Sequence, residues 1–163
     1  LALWNGTVTQ AAPSDQFVGL TSLGRDGAEV GLTHVSDTGS CSGVADRSGS
    51  VAWKTCDHTL LAFSPRSLYV SADAAYHDGP GSSVFAAYGA AAGDLLFEHR
   101  STRSTQAFVQ TSVWENDSYL VANVFQGGQW SVVRFGVDGS MELAVPPVKG
   151  DVASSPIVLP NQH

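Results

Sequence analysis

The sequence predicts an all-β chain built from four-stranded antiparallel sheets, and three observations carry that expectation. The first is composition. Of 163 residues, 43% are hydrophobic and only 14% charged, with 17 Gly and 7 Pro. Such a chain has apolar side chains for a core and turn residues to interrupt it, but few of the charged positions that long amphipathic helices need. The second is the length of the apolar runs, which are short and bounded by Gly, Pro, Asp and Ser, as strands between tight turns are. The third is recurrence. Gly49, Gly93 and Gly139 fall in hairpin-like gaps 44 and 46 residues apart, and Trp4, Trp53, Phe97 and Leu143 follow one another at 49, 44 and 46 residues.

The elements follow in order. Leu1–Gln10, LALWNGTVTQ, reads as one closing strand, and a loop over Ala11–Asp15 follows it. The first block predicts strands at Phe17–Leu23, Ala28–His34, Ser42–Ala45 and Val51–Thr55, with turns at Gly24–Gly27, Asp37–Gly39 and Asp46–Ser50. The second predicts Thr59–Phe63, Ser67–Asp73, Ser82–Tyr88 and Asp94–His99, divided by Ser-Pro, Asp-Gly-Pro-Gly and Gly-Ala-Ala-Ala-Gly. The third predicts Ala107–Val113, Tyr119–Phe125, Trp130–Phe135 and Met141–Val145. A last apolar run, Pro156–Leu159, is expected to begin another block.

Runs such as LLAF, SVFAAY and YLVANVF are apolar on both sides instead of alternating, which marks sheets covered on both faces. A meander of about 40 residues, repeated, matches the blade of a β-propeller. The expectation is therefore one domain over 1–163, a partial β-propeller with blades at about 17–56, 59–100 and 106–146 plus single flanking strands; a β-sandwich is the alternative. In the propeller, the large residue at the Trp53/Phe97 position fills the space between neighbouring sheets. Closed propellers have about 4–8 blades, so three leave open ends. Three arrangements are open: a fragment of a larger ring, a small ring in which Pro156–Leu159 and Trp4–Thr7 share a fourth blade, or association of two copies. A fragment pairing with another copy is the favoured expectation. The opening Leu-Ala-Leu-Trp, without an initiator Met, fits a processed or excised piece.

Leu61–Val70, LAFSPRSLYV, resembles the Phe-Ser-Pro-Asp-Gly turn between the first two strands of WD40-like and TolB-like propeller blades, and Val113–Val121, VWENDSYLV, is similar. Gly89–Leu96, GAAAGDLL, and Ala45–Ala52, ADRSGSVA, resemble the hairpin between the third and fourth strands. The Trp-Asp pair and the Gly-His pair of true WD40 repeats are absent: Trp53 precedes Lys54, and Asp57-His58 is the nearest counterpart. The resemblance is to the broad bacterial WD40-like class, and it implies a fold without implying a ligand.

Cys41 and Cys56, the only cysteines, flank the Asp46–Ser50 hairpin, so two strands folding back there bring them nearly opposite one another. A disulfide is expected, with two buried free thiols as the alternative. A disulfide implies an extracytoplasmic protein, secreted or envelope-anchored. No His pair among His34, His58, His77, His99 and His163 has metal-ligand spacing; His58, entering a blade beside Asp57, is expected to anchor a turn. There is no Gly-x-Ser-x-Gly elbow, and Gly79-Pro80-Gly81-Ser82 lacks the ending of a phosphate loop. No catalytic, metal or cofactor residue is therefore expected. Trp4 and Trp53 are assigned to packing between blades, whereas Trp114 and Trp130, near strand ends, are less constrained. Asn5-Gly6-Thr7 and Asn116-Asp117-Ser118 fit the glycosylation triplet, which is frequent by chance.

A formal net charge of −7, with two lysines and six scattered arginines, argues against nucleic acid and against an anionic membrane surface. No run is long enough for a spanning helix. The expectation is a noncatalytic binding module of an exported bacterial propeller, with a protein or glycan partner. The alternative is the propeller of a hydrolase (a prolyl-oligopeptidase-like lid or a propeller hydrolase) whose catalytic residues lie elsewhere.

Overall fold

The structure is a computed structural model that describes residues 2–4, 8–10, 19–36 and 39–160. Three four-stranded antiparallel sheets stand in sequence order. Sheet I holds β3 (Gly19–Leu23), β4 (Glu29–Ser36), β5 (Gly39–Asp46) and β6 (Val51–Thr55). Sheet II holds β7 (His58–Phe63), β8 (Tyr69–Ala74), β9 (Val84–Gly89) and β10 (Leu95–Arg100). Sheet III holds β11 (Phe108–Trp114), β12 (Tyr119–Gln126), β13 (Gln129–Gly136) and β14 (Met141–Lys149). Each is a plain up-and-down meander, so its first strand is one edge and its last strand the other. The first strands gather together, β3 and β11 both touching β7. The array is an open, partial β-propeller with β3, β7 and β11 on the axis.

The repeat read from the sequence has a physical cause in the spaces between sheets. Val44 of β5 and Trp53 of β6 pack against Leu60, Phe63, Val70, Ala72, Ala86 and Tyr88 of sheet II. Phe85, Ala87 and Phe97 of sheet II pack against Trp114, Leu120, Ala122 and Phe135 of sheet III. These are two separate cores, one per gap between sheets, and not a single interior between two stacked layers. A third cluster, Val30, Leu32 and Ala45 with Val51, covers the other face of sheet I.

The hairpin glycines belong to the same device. Gly49, Gly93 and Gly139 have φ of 86°, 74° and 83°, a region that favours glycine. Each closes the turn into the last strand of its sheet. A Cβ on Gly93 would meet Trp53 at 2.5 Å, and one on Gly139 would lie 3.6 Å from Phe97. The wedge of one sheet therefore rests on the hairpin glycine of the next, and the two recur at one interval because they meet. The first turns are tied in the same direction: Arg25 N–H donates to Ser67 Oγ at 2.5 Å, and Arg66 N–H to Asp117 Oδ1 at 2.9 Å.

Three sequence expectations are corrected. Leu1–Gln10 is not one strand: β1 (Ala2–Trp4) and β2 (Val8–Gln10) pair antiparallel, Ala2 opposite Gln10, and Asn5-Gly6 between them is a hairpin signal in its own right. The Trp4 side chain lies outside the described residues, as do Phe17 and the turn at 37–38. Pro156–Leu159 forms no strand; Pro156 has no amide hydrogen to give to a ladder.

The third correction concerns Leu143. In sheet I the pairing slips between Val51 and Trp53, and in sheet II between Leu95 and Phe97. That slip turns Trp53 and Phe97 toward the next sheet. In sheet III the pairs Met141–Phe135, Glu142–Arg134 and Leu143–Val133 run without a slip, which comes only afterwards. Leu143 therefore lies on the opposite face to Phe97 and is exposed, while Glu142 takes the wedge's place. A one-residue change of register inverts every side chain beyond it.

Candidate functional site

The first strands are sheet edges, and the concave surfaces of the array open along them. One cleft of about 510 Å³ lies between β7 and β11, lined among others by Thr21, Thr59, Asp73, Ser82, Gln110 and Ser112. Short hydroxyl and amide side chains are what such an edge presents when alternate residues are held in the cores on either side. Ser82 is fixed: its Oγ donates to Val84 O at 2.8 Å and accepts from the Ala74 and Val84 amides, while its backbone exchanges two 2.9 Å bonds with Val109. That pins the loop 75–81 at both ends.

Asp73 is the one carboxylate in this cleft. Its side chain is largely buried, and burial pushes its pKa up. His77 Nε2, 3.3 Å away, and the hydrogen bond to it pull the other way. Asp73 stands in a strand otherwise built for packing, YVSADA, and Asn123 occupies the corresponding place in YLVANVF, 50 residues on. Sequence reasoning passed over both. A polar residue breaking the same point of two apolar runs was the available signal.

Asn123 lines a second cleft, of about 830 Å³, between β11 and the chain at 153–160. Its Nδ2 donates to Ile157 O at 2.8 Å and to Thr111 Oγ1 at 3.3 Å, while Oδ1 has no partner among the described residues. The two clefts are successive copies of one space. The first is walled by Thr59–Ala62, Asp73 and β11, the second by β11, Asn123 and 153–160.

His58 is the most buried ionisable side chain described, at 1% exposure. Its Nδ1 is 2.7 Å from Tyr88 Oη. Its Nε2 is 3.1 Å from Glu98 Oε2, but out of line for a hydrogen bond. Burial lowers the His58 pKa and outweighs the pull of the Glu98 and Asp57 charges; burial likewise raises Tyr88. The neutral imidazole accepts the Tyr88 hydroxyl at Nδ1 and keeps its proton on Nε2, facing Glu98. That joins β7, β9 and β10, so His58 braces three strands of sheet II instead of anchoring a turn.

Cys41 and Cys56 form a disulfide, with Cα atoms 4.0 Å apart. The adjacent pair Ser42–Thr55 places them directly opposite. His77 pairs with Asp73, and the His99 ring packs against Phe97 and Phe135. Among the described residues no group of three His, Cys, Asp or Glu side chains is arranged to hold a metal ion. Trp114 and Trp130 are 5% and 0% exposed, with Nε1 donating to Ala62 O and Asp151 O at 2.8 Å. They are packing residues, more constrained than their places in the sequence suggested. Asn116 Oδ1 accepts from the Ser118 and Tyr119 amides, so that triplet forms a turn. No helix among the described residues is long and apolar enough to cross a membrane.

No family model matches the chain, and none of the curated proteins does. Solved structures do. The β-propeller domain of the Trilobed protease from Pyrococcus furiosus, described as having an open velcro topology, aligns with a TM-score of 0.57 at 16% identity, over 82% of this chain and 44% of its own. Acylaminoacyl peptidase in complex with Z-Gly-Gly-Phe-chloromethyl ketone aligns at 0.54 and 12% identity, over 78% of this chain and 25% of its own. The WD40 domain of SCAP from fission yeast scores 0.49 at 12% identity, covering 88% and 36%. The chain thus spans less than half the length of the propeller proteins it matches. At these identities the likeness shows the fold alone.

Proposed function

We propose that the chain is a noncatalytic binding module, part of the propeller of an exported protein, that offers its axial clefts and end loops to a protein or glycan. The observation that carries this reading is the pair of repeated clefts along β7 and β11, lined by hydroxyl and amide side chains beside apolar ones, with one largely buried polar side chain in each, Asp73 and Asn123. Concave surfaces with a few placed polar groups are where ligands are recognised. The Cys41–Cys56 disulfide supports an extracytoplasmic location, secreted or envelope-anchored. LAFSPRSLYV supports the TolB-like branch of bacterial propellers. The net charge of −7 weighs against nucleic acid and against insertion at an anionic membrane.

A second reading is favoured by one specific finding: one of the similar structures is the β-propeller domain of a protease and another is a peptidase. In that reading the chain belongs to the propeller of a hydrolase and its clefts admit or filter polypeptide substrates.

The test is to display peptide and glycan arrays to the disulfide-bonded protein and to a Gln110→Arg variant, which places a bulky cation at a residue that lines both clefts. Binding by the parent chain and loss in the variant is the expected result. Equal binding by both would remove the clefts from the account. Cleavage of peptide substrates by a longer polypeptide containing this chain, altered by the same variant, would favour the hydrolase reading.

A further inference from the structure

Successive gaps between sheets are built from the same strand positions, but they are not filled alike. Tyr69 and Tyr119 open the second strands of sheets II and III after equivalent turns, Ser64 N–H donating to Tyr69 O and Glu115 N–H to Tyr119 O. Along those strands His58 stands opposite Ala74 and Tyr88 opposite Val70 in sheet II. The same places in sheet III hold Val109, opposite Val124, and Phe135, opposite Leu120. The His58 and Tyr88 rings lie 5.6 Å apart, joined by the 2.7 Å bond between Nδ1 and Oη, and both are buried. Valine is smaller than histidine, and phenylalanine has no hydroxyl with which to hold a second ring. The corresponding place between sheets II and III is a cavity of about 300 Å³.

Phe85 of β9 and His99 of β10 wall this cavity on one side, and Val109, Val124, Val133 and Phe135 of sheet III on the other. Phe85 lies edge-on to Phe135 with centroids 5.0 Å apart, and the His99 ring is 5.2 Å from Phe135. An incoming molecule therefore meets ring faces and edges as well as methyl groups. The linker 101–107 also lines the space, tied in by Ser101 N–H to Ser83 O at 2.7 Å and by Ala107 N–H to Ser101 Oγ at 2.9 Å. It brings the hydroxyls of Ser101 and Thr105 to a wall that is otherwise mostly apolar. Little net charge faces the cavity. Arg100 is held by Glu98 at 3.0 Å, and burial lowers the His99 pKa, so that ring is uncharged at neutral pH. Sheets II and III are both complete, so the cavity belongs to any larger array that contains them.

We propose that this cavity is a binding site for a small neutral aromatic molecule of about the size of indole. Its ring takes the place that the His58–Tyr88 pair holds one gap earlier. An apolar cavity of about 150 Å³ takes up benzene, and roughly twice that volume suits a fused pair of rings. Aromatic walls favour an aromatic guest through edge-to-face and offset contacts. A single hydroxyl or N–H on the guest finds Ser101 and Thr105 as acceptors, whereas a charged group finds no free counter-charge. The inference stands whether or not the axial clefts bind a partner.

Titration of the whole disulfide-bonded chain with indole, followed by NMR, tests it. Resonances of Val124, Val133 and Phe135 are expected to shift saturably, with a dissociation constant below about 1 mM, while those of Thr59, Asp73 and Gln110 in the axial cleft stay in place. Phenol and cyclohexanol, alike in size and polarity, separate an aromatic site from a merely apolar one; phenol is expected to bind at least about threefold more tightly. Val124→Phe adds a ring to a wall the axial cleft does not share. Val109→His combined with Phe135→Tyr restores the arrangement of sheet II. Each is expected to weaken indole binding by at least about tenfold, and Val35→Lys, exposed in β4, is expected to bind as the parent does. Absence of saturable shifts at the cavity residues of the parent overturns the proposal, and this result needs no variant to fold. So does unchanged binding by both cavity variants, or cyclohexanol binding as tightly as phenol.

Discussion

A histidine with almost no exposed surface folds most favourably when uncharged, and His58 shows how one residue sets a pH limit. Its folded pKa lies below the ordinary 6.5 because burial opposes the charge. As pH falls through 6.5 the unfolded chain takes up the proton first, so stability drops progressively until the folded pKa is passed. The half-buried His99 ring, whose pKa burial also lowers, acts in the same direction. The lowered carboxyls of Asp46, Glu98, Asp117 and Asp138 lose their contribution only in more acidic solution. Urea unfolding at pH 7.5 and 5.5 should show lower stability at the acid value, and His58→Gln should reduce that difference. The same substitution disturbs the Tyr88 hydroxyl's bond and should cost about 2–3 kcal/mol at pH 7.5. Gly93 is the other telling residue. Gly93→Ala meets both a left-handed backbone and the Trp53 ring, and should cost about 2–4 kcal/mol. At Gly127 nothing lies within 4 Å, so Gly127→Ala should cost only about 1 kcal/mol. Chemical denaturation of the pair separates backbone strain from the interblade contact.

At the scale of the element, turns were more legible than registers. Gly49, Gly93 and Gly139 announce their hairpins because the turn requires a conformation that few other residues adopt. The Cys41–Cys56 pair was readable for a similar reason, since a hairpin of known centre fixes which residues face each other. Leu143 was not. Its spacing matches Phe97, but a slip displaced by two residues leaves it on the opposite face of its sheet, and no local sequence signal marks where a ladder slips. Leu143→Asp should thus change stability by less than about 1 kcal/mol, whereas Phe97→Ala should cost about 3–5 kcal/mol; equal losses would refute the register. Asp73 and Asn123 were passed over because a polar residue inside an apolar run is informative only once the axis is known. For the disulfide, closing a loop of 15 residues is worth up to about 3 kcal/mol. The Asp46 carboxylate, which accepts from Ser48 and Ser50, already organises the turn, so the real value should be lower. The fall in Tm on adding reductant measures it.

For the whole molecule, stability is carried by the gaps between neighbouring sheets. Each gap has an aromatic wedge on a glycine hairpin and a bond between first turns. Ser64 and Arg66 both hold the Asp117 carboxylate; Asp117→Ala, which leaves the Arg66 amide and Ser64 without that acceptor, should cost about 1–2 kcal/mol. Beyond sheet III the pattern changes. Arg134, bonded to Glu115 and Glu142 and lying 3.8 Å over the Tyr119 ring, makes the outer part of that face polar, while 150–160 covers its inner part. A row of like sheets with one core per gap has a direct consequence for coupling. In a double-mutant cycle, Trp53→Ala and Phe97→Ala act on different gaps with no shared ring contact. Their costs should add to within about 0.5 kcal/mol. A coupling of about 1 kcal/mol or more would place both rings in one shared interior and contradict the fold described.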